Sequence, residues 1–318
     1  METSTANHRR PSPAAILIIP LVVALVLTLF AWPSSRLEPR DVPVGVAGAP
    51  AAATALERQL AARDGAFETH RYADEAAARE AIEDREVYGA FVATPAGPKV
   101  LTATAASPTI AQLLTHAAAE AEAPVEDVVS ASPATAGLVS SVLPLVLAGI
   151  FTGLAGAALG TTAARRAGLI VAGSVLAGLT ATAIIQGWLD VIGGDWLVNA
   201  GALSLTVLAI AAVVAGLETL LGKAGAALGA LTMVLIGNPF SGVASGPEML
   251  PSAAGSLGQL LPPGAGGNLL RSTGLFDGAA AGGHVAVLAV WAVAGLALLF
   301  VSAARSRRTV AAVAPAVA

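Results

Sequence analysis

Six apolar stretches, five of them without a formal charge, divide this chain and limit it to folds that cross a membrane. Each is about twenty residues long, and a helix of that length, rising about 1.5 Å per residue, crosses the roughly 30 Å hydrocarbon core of a bilayer. The only formal charge in any of them is Glu218. The pattern predicts a polytopic α-helical membrane protein. Its six transmembrane helices are expected at 14–32, 138–160, 168–188, 200–221, 224–240 and 285–304.

Composition supports this prediction and narrows the chemistry. Hydrophobic residues make up 55% of the chain and charged residues 12%, and its mean hydropathy of +0.75 lies outside the range of soluble proteins. The chain has no cysteine, so disulfides and cysteine-ligated metals are excluded. No paired nucleophile and base or metal-binding cluster is apparent in the sequence. We therefore expect no catalytic residue, no cofactor, no metal and no nucleic-acid partner.

Basic residues in the short flanking segments predict the orientation, because Lys and Arg concentrate on the cytoplasmic side. They fall at both ends of the chain and in alternate loops, namely at Arg9, Arg10, Arg165, Arg166, Lys223, Arg305, Arg307 and Arg308. The tails 1–13 and 305–318 are therefore expected in the cytoplasm of a bacterial cell. The first stretch ends in Trp32 and Pro33 without a small-residue cleavage site, which favours an uncleaved anchor.

The segment 33–137 between the first two stretches carries most of the charge and is predicted to be extracytoplasmic. Asp74 and Ser107 are each placed to cap a helix. Strands are predicted at 42–46, 67–72, 86–94 and 99–104, and helices at 51–63, 74–84 and 107–122. This order predicts a small α/β layer domain, joined to the second span by a linker at 124–133.

Two stretches carry a resemblance to a known family. The first, AREAIEDREVYGAFV at 78–92, contains Val87 and Tyr88 and is followed by Pro95 at the end of a strand. The second precedes the last span and comprises the groups 240–242, 247–251, 260–263 and 270–271. With the layout of one span, an external domain and five spans, the chain resembles the type-2 ABC exporter permeases, which include phage-infection-protein-like membrane proteins.

The resemblance implies a permease subunit that pairs with a second subunit, as a homodimer or with a related permease, and is driven by a separate cytoplasmic ATPase. The expected ATPase contacts are Arg165, Arg166, Glu218 and Lys223. In that family the segment corresponding to 237–283 dips between the spans and shapes an external gate. The candidate gate residues are Gly242, Pro247, Glu248, Leu250, Pro251, Pro262 and Arg271.

Neither a nucleotide-binding site nor an ion-coupling site is evident in the sequence. The stretch 216–224 resembles a phosphate-binding loop but has five residues between its glycines and lacks the final hydroxyl. The middles of the spans carry no titratable residue of the kind that proton-coupled carriers use. Glu218 is expected to reach water at a span end, and His284 to lie at the interface without a role. Gln186 is expected to bond between helices, with contact to a substrate as the alternative.

Two features leave alternatives open. Glycine pairs at 149/153, 156/160 and 225/229 allow close helix packing, either within the chain or between subunits. The segment 237–283 is read either as a gate or as an apolar loop over the span ends, with a short interfacial helix at 256–261 that Pro262 and Pro263 would end.

Two classes of function fit the sequence. One is an exporter permease for a hydrophobic or amphipathic substrate. The other is a non-transporting multi-pass membrane protein whose external domain binds a partner or phage.

Overall fold

A computed structural model describes residues 13–63 and 65–313 of the chain. Most of the N-terminal tail, with Arg9 and Arg10, lies outside the described residues, as do the side chains of Arg305, Arg307 and Arg308. The described chain consists of an α/β domain inserted between the first two long apolar helices, and a helix bundle formed by the rest.

The α/β domain is built from five strands and three helices. The strands are β1 Val42–Gly48, β2 Phe67–Tyr72, β3 Gly89–Thr94, β4 Gly97–Thr102 and β5 Val125–Asp127. The helices are α2 Pro50–Ala61, α3 Glu75–Glu83 and α4 Pro108–Glu120.

One sheet in the order β2-β1-β3-β4-β5 forms the centre of this domain. All neighbouring strands are parallel except the β3–β4 hairpin. Both faces of the sheet are covered. Adjacent residues of β1 and β3 point to opposite faces, so both sets are apolar. One core contains Val44, Phe91 and Leu114, and the opposite core contains Ile82 and Leu101.

The structure confirms the predicted order of strands and helices in this domain and corrects some of its boundaries. Asp74 accepts a hydrogen bond from the Ala77 amide and Ser107 accepts one from the Ile110 amide, so both predicted caps are present. The third strand begins at Gly89 and not at Glu86, because the amides of Glu86 and Val87 donate to the Ala81 carbonyl at the end of α3 instead of to a neighbouring strand. The predicted linker 124–133 contains β5, which pairs with β4.

The remaining helices form the bundle. They are α1 Pro13–Ser35, α5 Ala136–Leu159, α6 Ala163–Ile185, α7 Trp196–Leu221, α8 Lys223–Leu231, α9 Ser252–Gln259, α10 Pro262–Leu275 and α11 Ala281–Val313.

Five helices of the described chain are long and apolar enough to cross a membrane, as in a polytopic membrane protein: α1, α5, α6, α7 and α11. Helix α7 is the centre of the bundle and packs against α5, α6, α8, α10 and α11. Helix α1 stands apart, since only 6% of its apolar window is buried, and Trp32 packs near Phe240.

The fifth predicted span, 224–240, does not form one long helix. Helix α8 starts directly after Gly222, whose φ of +66° lets the chain reverse after α7. It continues into a π-helical turn at Thr232–Gly237 and ends there. The 15 residues from Lys223 to Gly237 extend about 22 Å, shorter than a full crossing. The near-match to a phosphate-binding loop at 216–224 is therefore the turn between α7 and α8.

The segment 237–283 is mostly helical and packs into the bundle, so the prediction of a short surface helix at 256–261 is wrong in its bounds. Helix α9 starts earlier, at Ser252, and Pro262 and Pro263 start α10 instead of only ending α9, because proline fits the first helical turn. Thirteen of the 14 residues of α10 are buried. This helix contacts α5, α7 and α11.

The glycine pairs serve packing within the chain. A Cβ on Gly153 would lie 2.5 Å from the Ala211 carbonyl oxygen of α7, and one on Gly149 would lie 2.7 Å from Ile210. Gly156 abuts Ile170 of α6, and Gly225 abuts the Leu217 carbonyl. These close contacts within the chain explain the glycine pairs without a subunit interface.

Candidate functional site

The α/β domain is attached to the bundle through Arg85, the residue that follows the turn after α3. Its φ of +60° places it in the left-handed region and redirects the chain. The Nη1 group donates to the Asn268 carbonyl oxygen at 3.1 Å and to the Ser272 hydroxyl. The guanidinium also lies 5.3 Å from the centre of the Phe276 ring, within cation–π range. One side chain of the domain thus contacts three residues at or just beyond α10.

Asn268 is the centre of a buried hydrogen-bond network on α10. Its Oδ1 accepts a bond of 3.2 Å from Arg271, and its Nδ2 donates a bond of 2.7 Å to Gln259. Arg271 donates further to the Val243 carbonyl, and Gln259 to the Ser241 carbonyl. The turn at 241–243 is therefore held to α9 and α10 by polar side chains, since buried polar groups require such partners.

A second contact joins Tyr88 of the domain to Glu248, which lies in a 3-10 turn at Pro247–Met249. The Tyr88 hydroxyl donates to Glu248 Oε2 at 2.8 Å. Burial raises the pKa of Glu248, and the Tyr88 hydrogen bond and Arg85 only partly oppose this. Burial and the neighbouring Glu248 raise the pKa of Tyr88 well above its ordinary value, so the phenol stays protonated.

Backbone contacts extend the junction on both sides. The amides of Glu38 and Arg40 donate to the carbonyls of Met249 and Glu248, and Arg40 Nη1 also reaches the Met249 carbonyl. At the start of α4, the buried Ser107 hydroxyl donates to the Ser245 carbonyl at 2.8 Å. The turn 243–250 is thus held between the α1–β1 connection and α4.

A cavity of about 320 Å³ lies inside this junction. Its wall includes Arg85 and Tyr88 from the domain, Glu248 from the turn, Asn268 from α10 and His284 from the first turn of α11. A neighbouring space of about 370 Å³ shares Pro43, Pro247, Glu248 and Gln259 with it and extends toward Arg40. The size suits a small molecule or the polar headgroup of a larger one.

Some of the predicted gate residues lie at this junction. Glu248 and Pro247 line the cavity. Arg271 is 4% exposed and lies behind the cavity wall, where it donates a hydrogen bond to the wall residue Asn268. Gly242 has a φ of +64° in the turn. The remaining members are Leu250, which is buried, Pro251 before α9, and Pro262 at the start of α10.

The four predicted ATPase-contact residues meet at the end of the bundle formed by the α5–α6 and α7–α8 turns. Arg165 and Lys223 are exposed, whereas Arg166 folds back and donates to the Gly160 carbonyl and the Thr219 hydroxyl. Glu218 is half-buried, and its Oε2 atom is buried without a hydrogen-bond partner among the described residues. The Glu218 carboxylate is therefore only partly open to water, and its expected access to water at the span end stays a prediction.

Sequence reasoning missed the most connected residues of the junction. Arg85 lies within the stretch 78–92 that carries the family resemblance. Nothing in the sequence identified its partner Asn268, which is 183 residues away. Asn268 and Gln259 were not singled out, although an amide among apolar residues is a signal for a buried network. Gln186 was predicted correctly, since it accepts a hydrogen bond from Asn199 of α7 at 3.0 Å. His284, expected to have no role, lines the cavity.

Metal chemistry finds no support in the described part of the chain, which contains no group of three or more His, Cys, Asp or Glu side chains placed to hold an ion. Comparisons with protein-family models, curated proteins and solved structures each returned no match. Function must therefore be inferred from the residues and their geometry.

Proposed function

We propose that this chain is the permease subunit of an ABC-type exporter that moves a hydrophobic or amphipathic substrate out of a bacterial cell. The observation that carries the proposal is α10, a buried helix that packs among three helices of the bundle and is bonded through Arg85 to the α/β domain. A buried helix coupled to an outer domain is suited to open and close a path between the spans. The resemblance in layout to type-2 exporter permeases supports the same function.

The proposed topology places the α/β domain outside the cell and both chain ends in the cytoplasm. In this arrangement α8 and its π-helical turn form a sixth, short crossing, and local thinning of the bilayer or tilting of neighbours accommodates the difference in length. The exposed Arg165 and Lys223 then face the cytoplasm, as the distribution of basic residues requires. A second permease subunit would complete the exporter.

Energy would come from a separate ATPase docked at the α5–α6 and α7–α8 turns. A photo-crosslinking amino acid at the exposed Lys223 tests this directly in whole cells. We expect capture of an ATP-binding protein at this position, and no such capture with the same group at Gln59, an exposed residue of α2. Lys223→Glu should weaken recovery of the ATPase without disturbing the bundle, which Glu218→Lys would disturb because that carboxylate is half-buried.

The decisive comparison is efflux of amphipathic dyes with an active ATPase and with one unable to hydrolyse ATP. Efflux that depends on hydrolysis supports the permease. Equal efflux in both strains, together with no ATP-binding protein captured at Lys223, would favour the second class of function, a membrane-anchored protein whose outer domain binds a partner.

A further inference from the structure

Two guanidinium groups in the junction, the buried Arg271 and the half-buried Arg85, lack a close counter-charge. In the described residues no carboxylate lies within 4 Å of either group, whereas other arginines of the α/β domain pair with carboxylates, such as Arg71 with Glu57 and Arg79 with Glu126. Arg271 is 4% exposed, and its buried Nε has no hydrogen-bond partner in the described chain. A guanidinium that is removed from water without a nearby negative charge is costly even when it is hydrogen-bonded, so an anion placed nearby would stabilise this arrangement.

Arg85 has further hydrogen-bond donors on the cavity wall. Its hydrogen bonds within the described chain use only Nη1, which leaves Nε and Nη2 without a protein acceptor there. The Ser272 and Asn268 bonds and the Phe276 ring fix the guanidinium in place. A planar guanidinium with two free, preoriented donors matches the oxygens of a phosphate or carboxylate.

Other charged groups face the same cavity and set its pH dependence. They are Glu86, Glu248 and His284, with Arg271 behind Asn268. Glu86 accepts from the Tyr72 hydroxyl and is exposed, so water screens its charge. Glu248 is the carboxylate that would oppose an anion, and because burial raises its pKa, it keeps its proton to higher pH than an exposed carboxyl does.

We propose that this cavity binds the anionic phosphate or carboxylate headgroup of an amphipathic molecule, with Arg85 as the direct ligand and Arg271 as a second, more remote positive charge. The location favours an amphipath, because His284 lies in the first turn of α11, where an apolar membrane-spanning helix begins. The cavity volume of about 320 Å³ holds a headgroup but not an acyl chain as well. The inference does not depend on the permease function, since binding is measured without transport.

The test uses the full chain in nanodiscs, with lipid retention followed by native mass spectrometry and stability by thermal unfolding. Nanodiscs contain either anionic phosphatidylglycerol or a neutral digalactosyl lipid that has no phosphate, and a third arm adds inorganic phosphate to the neutral discs. We expect the anionic lipid to raise the melting temperature more than inorganic phosphate does. Stabilisation by the lipid alone identifies a headgroup, and equal stabilisation by phosphate identifies a free anion.

Three variants assign the effect to the cavity. Arg85→Gln should weaken anion binding at least tenfold, whereas Arg58→Gln, at an exposed arginine of α2, should leave it unchanged. Glu248→Gln retains Arg85 and should strengthen binding most at high pH, where the native carboxylate is more ionised. The proposal is overturned if neither anion stabilises the native chain more than the neutral discs do. It is equally overturned if Arg58→Gln weakens binding as much as Arg85→Gln, or if Glu248→Gln leaves the pH dependence of binding unchanged.

Discussion

At the scale of single residues, the junction depends on side chains whose partners lie far away in the chain. Arg85 is 187 residues away from its partner Ser272, and Tyr88 is 160 residues away from its partner Glu248. Caps such as Asp74 and Ser107 were predictable, because their partners are three residues away and the pattern is local. Long-range polar pairs leave no periodic signal in one sequence, which explains why Arg85 and Asn268 were missed.

Glu248 makes stability depend on pH. Its pKa is raised by burial above the ordinary 4.5, so the folded chain holds this proton to higher pH than the unfolded chain does. The stabilisation that comes from this bound proton is full below pH 4.5, and it is lost as the pH rises through the pKa of Glu248 in the folded chain. We expect melting temperature to fall over this range, and Glu248→Gln to remove that part of the fall.

The matched control is Glu83→Gln, at an exposed carboxylate of α3. It should keep the native pH profile. If Glu248→Gln and Glu83→Gln have the same profile as the native chain, Glu248 does not titrate within the junction.

At the scale of helices and strands, apolar length and local turn chemistry predicted most of the elements. Four of the six predicted spans overlap α5, α6, α7 and α11, with ends that differ by up to nine residues, and the first lies within α1. The fifth failed as a full-length helix because hydrophobicity alone does not report the π-helical turn at Thr232–Gly237. Helix α10 was not predicted, since its four glycines and two prolines are typical of a loop and tertiary packing overrides that preference.

Gly153 provides an element-scale prediction for the contact between α5 and α7. Gly153→Ala places a Cβ 2.5 Å from the Ala211 carbonyl oxygen, and the helices must separate to accept it. We expect a destabilisation of about 1–3 kcal/mol, the usual cost of overpacking, seen as a lower melting temperature in detergent.

Gly201→Ala is the control on α7, because no atom outside the local backbone lies within 4 Å of its added Cβ. Removing a helical glycine there should stabilise the chain by about 0.5–1 kcal/mol. Equal effects of the two substitutions would show that α5 and α7 do not approach as closely as described.

At the scale of the whole molecule, the distribution of basic residues predicts that the α/β domain and the α7–α8 turn lie on opposite sides of the membrane. The chain has no cysteine, so a single introduced cysteine is the only thiol of the protein that a reagent can label. Cysteine at the exposed Gln59 should react with an impermeant reagent in whole cells, and cysteine at the exposed Lys223 only after permeabilisation. Labelling of Lys223→Cys in intact cells would reverse the orientation.

The most direct measurement is efflux before and after the α/β domain is covalently fixed to the turn that precedes α9. The Thr109 hydroxyl lies 3.5 Å from the Ala244 carbonyl oxygen, so Thr109→Cys with Ala244→Cys places two thiols near each other across the junction. If the path opens by movement of the α/β domain relative to this turn, oxidation should stop ATP-dependent efflux and reduction should restore it. Undiminished efflux from fully cross-linked protein would contradict a gate at this junction.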